Sequence, residues 1–233
     1  MSDPAARLAL NAAQSARARR ETYAGEWLPE PVDTGADPTL GAERAEALEL
    51  AVLLLLEKLT PAERAAYVLR EAFDYEYEKI AEIVGTSEAN ARQLATRARK
   101  HVVDGRRAPA SRADHQKLLS AFVTAAQRGD VAALEQVFAS DVVSNADGGG
   151  FVSAARVPVV GRAAVAKFVA KVTAEFWTGV TLAWIEANGQ PAALAVRGGE
   201  AGGLVTICAS EQGIDQIFWM IRPSKLRGLR SFP

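Results

Sequence analysis

Between Ala42 and Val103 the apolar positions recur at steps of three and four. Leu48, Val52, Leu55, Leu56 and Leu59 form one stripe, the spacing of an amphipathic helix. Thr60-Pro61-Ala62-Glu63 then reads as a fresh start: Thr as N-cap, Pro at the first helical position and Glu closing a capping box. The helix opened there is expected to bury Ala66, Leu69 and Phe73, with Val68 alongside. A third helix, over about 76–84, presents Ile80, Ala81 and Val84 to a core. Gly85-Thr86 breaks it, and Ser87 can cap a fourth helix running to about Val103.

Residues 105–113 read as a linker, and beyond them the texture changes. Helices are expected over 114–128 and 131–139, parted by Gly129-Asp130 with Asp130 as N-cap. Strand-like runs follow at 142–146 and 151–160, joined by the turn Asp147-Gly148-Gly149-Gly150. A helix over 162–176 precedes strands near 179–187, 191–197, 203–210 and 214–222. Helices followed by a mostly antiparallel sheet predict an α+β domain with its helices on one sheet face.

Ahead of the helical region, residues 1–22 form a short Ala/Arg-rich helical pattern. Residues 23–41 hold three prolines and three glycines and are expected to be extended, since each Pro lacks an amide donor and disfavours helix before it. This connection nevertheless contains Trp27 and Leu28, apolar area worth burying. It is expected to pack on the last domain.

Composition narrows the classes. The 233 residues are 49% hydrophobic and 24% charged, with a net charge of −1, so any affinity for nucleic acid must be local. The single cysteine, Cys208, excludes an internal disulfide and a cysteine-rich metal site. The longest apolar run, Leu48–Leu56, is interrupted by Glu49 and too short to span a bilayer. The N-terminus lacks the apolar core of a signal peptide. A soluble cytoplasmic protein without membrane association is expected.

The local charge lies in the fourth helix. From Ser87 to Arg107 there are six Lys/Arg against Glu88 and Asp104, a local net of +4. At 100° per residue, Ala91, Leu94, Ala95 and Ala98 share one face. Ala89, Arg92, Gln93, Thr96 and Lys100 occupy the other, with Arg97 and Arg99 on the flanks. Helix, Gly-containing turn and helix make a helix-turn-helix. Its polar face offers donors suited to guanine, adenine and phosphate, which marks Ser87, Arg92, Gln93, Thr96, Arg97, Arg99 and Lys100 as candidate DNA contacts.

The stretches LTPAERAAYVLREAF and EYEKIAEIVGTSEANARQLATRARK resemble region 4 of extracytoplasmic-function (ECF) RNA polymerase sigma factors. ARLALNAAQSARARRETYAGEWLPEPV is similar to the end of region 2 and the following linker in the subgroup with a C-terminal SnoaL-like (NTF2-like) extension. The WLPEP motif of that subgroup falls on Trp27, Leu28, Pro29, Glu30 and Pro31. Its DGGG turn falls on Asp147, Gly148, Gly149 and Gly150, and its NPDKL-like motif on Arg222, Pro223, Ser224, Lys225 and Leu226. Phe151 stands where a lysine is expected, and Arg222 and Ser224 replace Asn and Asp.

The resemblance implies a multidomain chain, an all-α helix-turn-helix followed by an α+β NTF2-like/SnoaL-like cone. Its segments are a region-2 remnant (1–22), linker (23–41), region 4 (42–104), second linker (105–113), SnoaL-like domain (114–223) and basic tail (224–233). It implies promoter −35 DNA and the β flap of core RNA polymerase as partners. The three motifs become interdomain regulatory residues, with the fused domain acting in cis and no catalysis or cofactor. On this resemblance only the last helix of region 2 is expected in the chain, which would be either a shortened form or a natural paralogue lacking the rest. Such a chain is expected not to initiate transcription alone.

The cone of such a domain encloses a pocket where a small-molecule ligand is expected. His115, Asp141 and Asp147 are the acid–base candidates within it. None has a spacing that compels catalysis: His115 reads as an exposed residue at a helix start, Asp141 as a helix end, and Asp147 as a turn residue. Cys208 reads as a buried small hydrophobe. Trp177, Trp184, Trp219, Phe176 and Phe218 read as core or pocket wall. The alternative reading is a SnoaL-like small-molecule enzyme or ligand sensor fused to a DNA-binding module.

Overall fold

A computed structural model describes residues 27–35, 50–56, 59–104, 107–150, 155 and 157–229. The helical pattern over 1–22, the start of the Leu48 stripe and the position of Phe151 lie outside them. The chain divides into two units, Met1–Tyr23 with Asp37–Arg107, and Ala24–Ala36 with Ala108–Pro233.

In the first unit, α1 (Leu50–Leu56) is followed by α2 (Pro61–Glu71), α3 (Tyr77–Val84) and α4 (Glu88–Asp104). Thr60 opens α2 through a reciprocal box. Its Oγ1 accepts from Glu63 N at 3.3 Å, and Glu63 Oε2 accepts from Thr60 N at 3.2 Å. These bonds satisfy donors that the helix cannot satisfy internally. Gly85 ends α3 with φ 74°, its amide donating to Ala81 O, a left-handed cap that a side chain would strain. Ala66, Ile80, Ala81, Ala91, Leu94 and Ala95 pack as one cluster. Val52, Leu56, Tyr67, Ala72, Ala98 and Val102 pack as another.

Phe73 departs from the expectation that it faces this core. It is 57% exposed, because α2 stops at Glu71 and the chain turns through Asp74 at φ 53°. The ring therefore leaves the helical stripe and meets Tyr75 edge-on, with centroids 6.4 Å apart.

The second unit runs α5 (Arg112–Arg128), α6 (Val131–Val137), β1 (Phe138–Asp147), β2 (Val159–Val160), α7 (Arg162–Trp177), β3 (Thr181–Ala187), β4 (Gln190–Arg197), β5 (Glu200–Ser210), β6 (Gly213–Met220) and α8 (Pro223–Leu226). The sheet order is β2-β1-β6-β5-β4-β3, antiparallel throughout except for the parallel β1–β6 pair. Ser111 caps α5 by accepting from Asp114 N, so this helix starts two positions earlier than its apolar pattern suggests. β1 begins at Phe138 where a helix was expected to continue, because Phe138 is extended and pairs with Ile214. The expected basic tail opens instead with the short helix α8.

Side chains alternate across a strand, and this sorts the two sheet faces. One face carries Val142, Ala146, Val205, Ile207, Ile217 and Trp219 against Phe122, Val165 and Val169 of the helices. Asp147, adjacent to Ala146, points the other way. On that second face Asp147 meets Leu28 and Lys225 of α8.

Candidate nucleic-acid interface and linker-binding site

α4 sits on its scaffold through small residues: Ala91, Leu94, Ala95 and Ala98 are buried, while Arg92, Gln93, Thr96, Arg97, Arg99 and Lys100 are exposed. Ser87 is exposed and its hydroxyl accepts from Asn90 N at 3.3 Å. Thr96 donates its hydroxyl proton to Arg92 O at 2.8 Å.

The arginines on this helix fall into two groups. Arg97 Nε donates to Glu63 Oε1 at 2.9 Å, and Arg99 donates to Glu71. Both acids come from α2, so these guanidiniums are turned toward the scaffold. The Arg97 hydrogen bond, helped by Thr60, holds the Glu63 carboxyl below its ordinary pKa. Arg92 instead pairs with Glu88 on its own helix at 3.0 Å, and its guanidinium lies 4.7 Å from the centroid of the Tyr77 ring. Neither Glu63 nor Glu71 was legible as an arginine partner, since those pairings span 34 and 28 positions.

On the second unit, Leu28 is held through both of its backbone polar groups. Its amide donates to Asp147 Oδ2 at 2.9 Å. Its carbonyl accepts from Lys225 Nζ. Lys225 Nζ also donates to Asp147 Oδ2 at 2.7 Å, with the two side chains 5% and 0% exposed. The ammonium lies 4.3 Å from the Trp27 ring centroid, a cation–π contact. Burial pushes the Lys225 pKa down, and Asp147 opposes that shift. The cluster thus draws on three separated motifs, Trp27 and Leu28 from the first, Asp147 from the second and Lys225 from the third, and the Leu28 backbone bonds to both members of a buried ion pair.

The rest of the segment continues the attachment. Leu28, Pro29, Pro31 and Thr34 are buried, while Glu30 and Val32 face solvent. Val32 N donates to Asn188 Oδ1 at 3.1 Å, and Asn188 N donates to Val32 O at 2.8 Å. Thr34 N donates to Glu186 O at 3.2 Å, and Asp33 bridges Ala187. These bonds add the segment to the edge of β3. Asn188-Gly189, with φ 53° and 75°, forms the β3–β4 turn. An Asn-Gly pair between alternating hydrophobics is a hairpin signal, and it marks this edge in the sequence. Gly148 is buried, Gly149 and Gly150 turn the chain at positive φ, and Leu226 is buried. Arg222 is half-buried and Pro223 exposed.

The acid–base candidates are not brought together. His115 is buried, against the expectation of an exposed helix start, because α5 begins at Arg112 and turns the imidazole onto the sheet. Its Nε2 lies 2.9 Å from Ile207 O, and burial depresses its pKa. Asp141 is exposed within β1 instead of ending a helix. Asp147 is fully buried on the opposite sheet face and ends β1 instead of lying in the turn. Cys208 is half-buried.

A groove of about 700 Å³ runs along α5 past Gln116, Lys117, Ser120, Thr124 and Arg128, with Trp184 at its wall. Trp184 is 46% exposed, whereas Trp177, Trp219 and Phe218 are buried. None of His115, Asp141 and Asp147 lines this groove. Among the described residues no group of three or more His, Cys, Asp or Glu could hold a metal ion. No described helix is long and apolar enough to cross a membrane.

The described architecture is thus a capped helix-turn-helix with a cationic exposed face and an α+β unit that grips the WLPEP segment. Residues 49–102 match the family profile "Sigma-70, region 4". ECF RNA polymerase sigma factor SigJ of Mycobacterium tuberculosis (strain ATCC 25618 / H37Rv) is 38% identical over 172 residues, covering 70% of this chain and 54% of that protein. This chain therefore spans about half the length of that relative. The probable ECF RNA polymerase sigma factor SigI of Mycobacterium tuberculosis (strain CDC 1551 / Oshkosh) is 31% identical over 235 positions, 97% of this chain and 77% of SigI. The crystal structure of Mycobacterium tuberculosis SigJ superposes with a TM-score of 0.71 at 29% identity, covering all of this chain and 85% of that one. The chain belongs to the ECF RNA polymerase sigma factor family.

Proposed function

We propose that the exposed face of α4 binds the −35 element of promoter DNA, that the helical unit engages the β flap of core RNA polymerase, and that the second unit governs this activity in cis. The DNA reading rests on the segregation of α4, with small buried residues on one face and Arg92, Gln93, Thr96 and Lys100 on the other. The names of the relatives support the same reading.

The observation that carries the regulatory half is the capture of Leu28 by Asp147 and Lys225. In the subgroup with a SnoaL-like extension, which the chain resembles, the WLPEP segment marks the linker between region 2 and region 4. A linker held on the C-terminal unit therefore cannot adopt another path between these regions without breaking both bonds and uncovering Leu28. Tethering within one chain gives an effective concentration on the order of millimolar, so even modest docking holds. A small-molecule signal belongs to the same proposal, and the groove beside Trp184 is an open concavity that could receive it.

The test is binding of a promoter duplex by the full chain with core polymerase, comparing wild type, Leu28→Ala and Asp147→Asn. Both variants should alter affinity although neither touches the DNA face. Equal affinity in all three would refute regulation through the linker, and retained affinity in Arg92→Ala would refute the DNA face.

A further inference from the structure

Two arginines lie against one tyrosine in the helical unit. Arg92 approaches the Tyr77 ring at 4.7 Å and Arg70 approaches it at 5.2 Å. Tyr77 is the first residue of α3, half-buried against the cluster formed by Ala66, Ile80, Ala91 and Leu94, so its ring is anchored by packing. Arg70 is committed elsewhere: it pairs with Asp74 at 3.3 Å and donates to Tyr75 O at 3.0 Å. Arg92 is 61% exposed at its side chain, and its ion pair is with Glu88, a carboxylate 55% exposed and one turn back on α4.

An exposed arginine has many rotamers, and its use as a base-reading group depends on the orientation of a planar fork. A fixed aromatic face restricts those rotamers while leaving the N–H edges free to donate, since cation–π contact uses the flat of the guanidinium. Glu88 does the opposite, engaging an N–H that a base would need. On the proposed reading of α4 as the DNA-binding helix, we infer that Tyr77 is a positioning residue for sequence recognition. Its ring presets the Arg92 guanidinium so that this side chain reads a guanine in the major groove when Glu88 is displaced. The ligand of this pair is a G·C base pair in duplex DNA, presenting the O6 and N7 acceptors.

The assignment separates Tyr77 from Arg97 and Arg99. Those two are tied to carboxylates of α2, Glu63 and Glu71, whereas Arg92 is braced by the Tyr77 ring of α3 and by Glu88 of its own helix.

The experiment is selection from a randomised duplex library by the full chain, with sequencing of the bound pool, for wild type, Arg92→Ala, Tyr77→Phe and Tyr77→Leu. Thermal unfolding of each variant is recorded in parallel. Arg92→Ala should lose preference for guanine at one position by about 5- to 150-fold, the range for a bidentate contact. Tyr77→Phe, which keeps the ring, should retain the wild-type profile. Tyr77→Leu should lose about 2- to 5-fold of the guanine preference at that same position, the scale of an exposed cation–π contact, with the other positions and the salt dependence unchanged.

A Tyr77→Leu profile identical to wild type, or one weakened evenly at every position, overturns the positioning role while leaving α4 as the DNA-reading helix. A wild-type chain that selects no sequence overturns both. If Tyr77→Leu lowers the unfolding midpoint, the position-specific loss in the surviving folded fraction still decides, because a fold defect weakens all positions alike.

Discussion

The amide of Leu28 donates to the carboxylate of Asp147 at 2.9 Å, across 119 positions of sequence. Asp147 is fully buried and paired with Lys225, so the peptide of an N-terminal segment is a structural part of the C-terminal unit. Removing Asp147 as Ala would leave the Lys225 ammonium buried without its carboxylate, at a cost of about 3–5 kcal/mol. Leu28→Ala keeps both backbone bonds and removes a buried side chain, which costs about 2–5 kcal/mol. Denaturant unfolding of both variants checks the sizes. Limited proteolysis should show faster cleavage within 27–35 in both.

Arg92 and Lys100 should behave differently toward DNA. Arg92→Ala is expected to cost about 1–3 kcal/mol at a specific site and little on scrambled duplex. Lys100→Ala should weaken both alike and flatten the salt dependence by close to one counterion. Titrations of each duplex at several salt concentrations separate the two outcomes.

His115 makes the second unit sensitive to acid. Burial, and more weakly Arg112, hold its pKa below the ordinary value, while the bond to Ile207 O opposes them. The unfolded imidazole therefore takes up a proton more readily than the folded one. The stability contributed by the neutral ring is complete above pH ~6.5 and is lost as pH falls from there through the depressed folded value. Unfolding midpoints between pH 7 and 5 should fall in wild type, and His115→Gln should show a shallower slope.

Glu63 is expected to give a second, lower transition in the helical unit. Its carboxyl is held below the ordinary value first by Arg97 and then by Thr60. The associated stability is present above pH ~4.3, the unfolded value, and disappears as pH drops through the folded one. Glu63→Gln should remove that segment of the acid-unfolding curve, and Thr60→Ala should cost about 1 kcal/mol at neutral pH.

Gly203 lies where a Cβ would come 2.6 Å from Phe176 Cε2 and 3.3 Å from Ile221 Cγ2. Gly203→Ala should therefore destabilise the sheet by about 1–3 kcal/mol through overpacking. Phe176→Leu in the same background should recover part of the loss, measurable by thermal unfolding.

The helical unit is largely legible in the sequence. Thr60, Pro61 and Glu63 signal a helix start because their bonds close within one turn, and Gly85 signals an end because only its own φ is involved. The division of α4 into Ala91, Leu94, Ala95 and Ala98 against Arg92, Gln93, Thr96 and Lys100 follows from the 3.6-residue period. Tertiary structure decided what had to be brought from a distance. His115 is buried because α5 gains its first turn from the Ser111 cap and seats on β5, and Phe73 is exposed because Asp74 turns the chain away. Trp27 and Leu28 announced that they needed cover and pointed to the last domain for it, but not to the residues that would hold them. Their partners Asp147 and Lys225 lie 119 and 197 positions from Leu28. No local pattern encodes that pairing, since it depends on which sheet face Asp147 takes and on α8 folding over it.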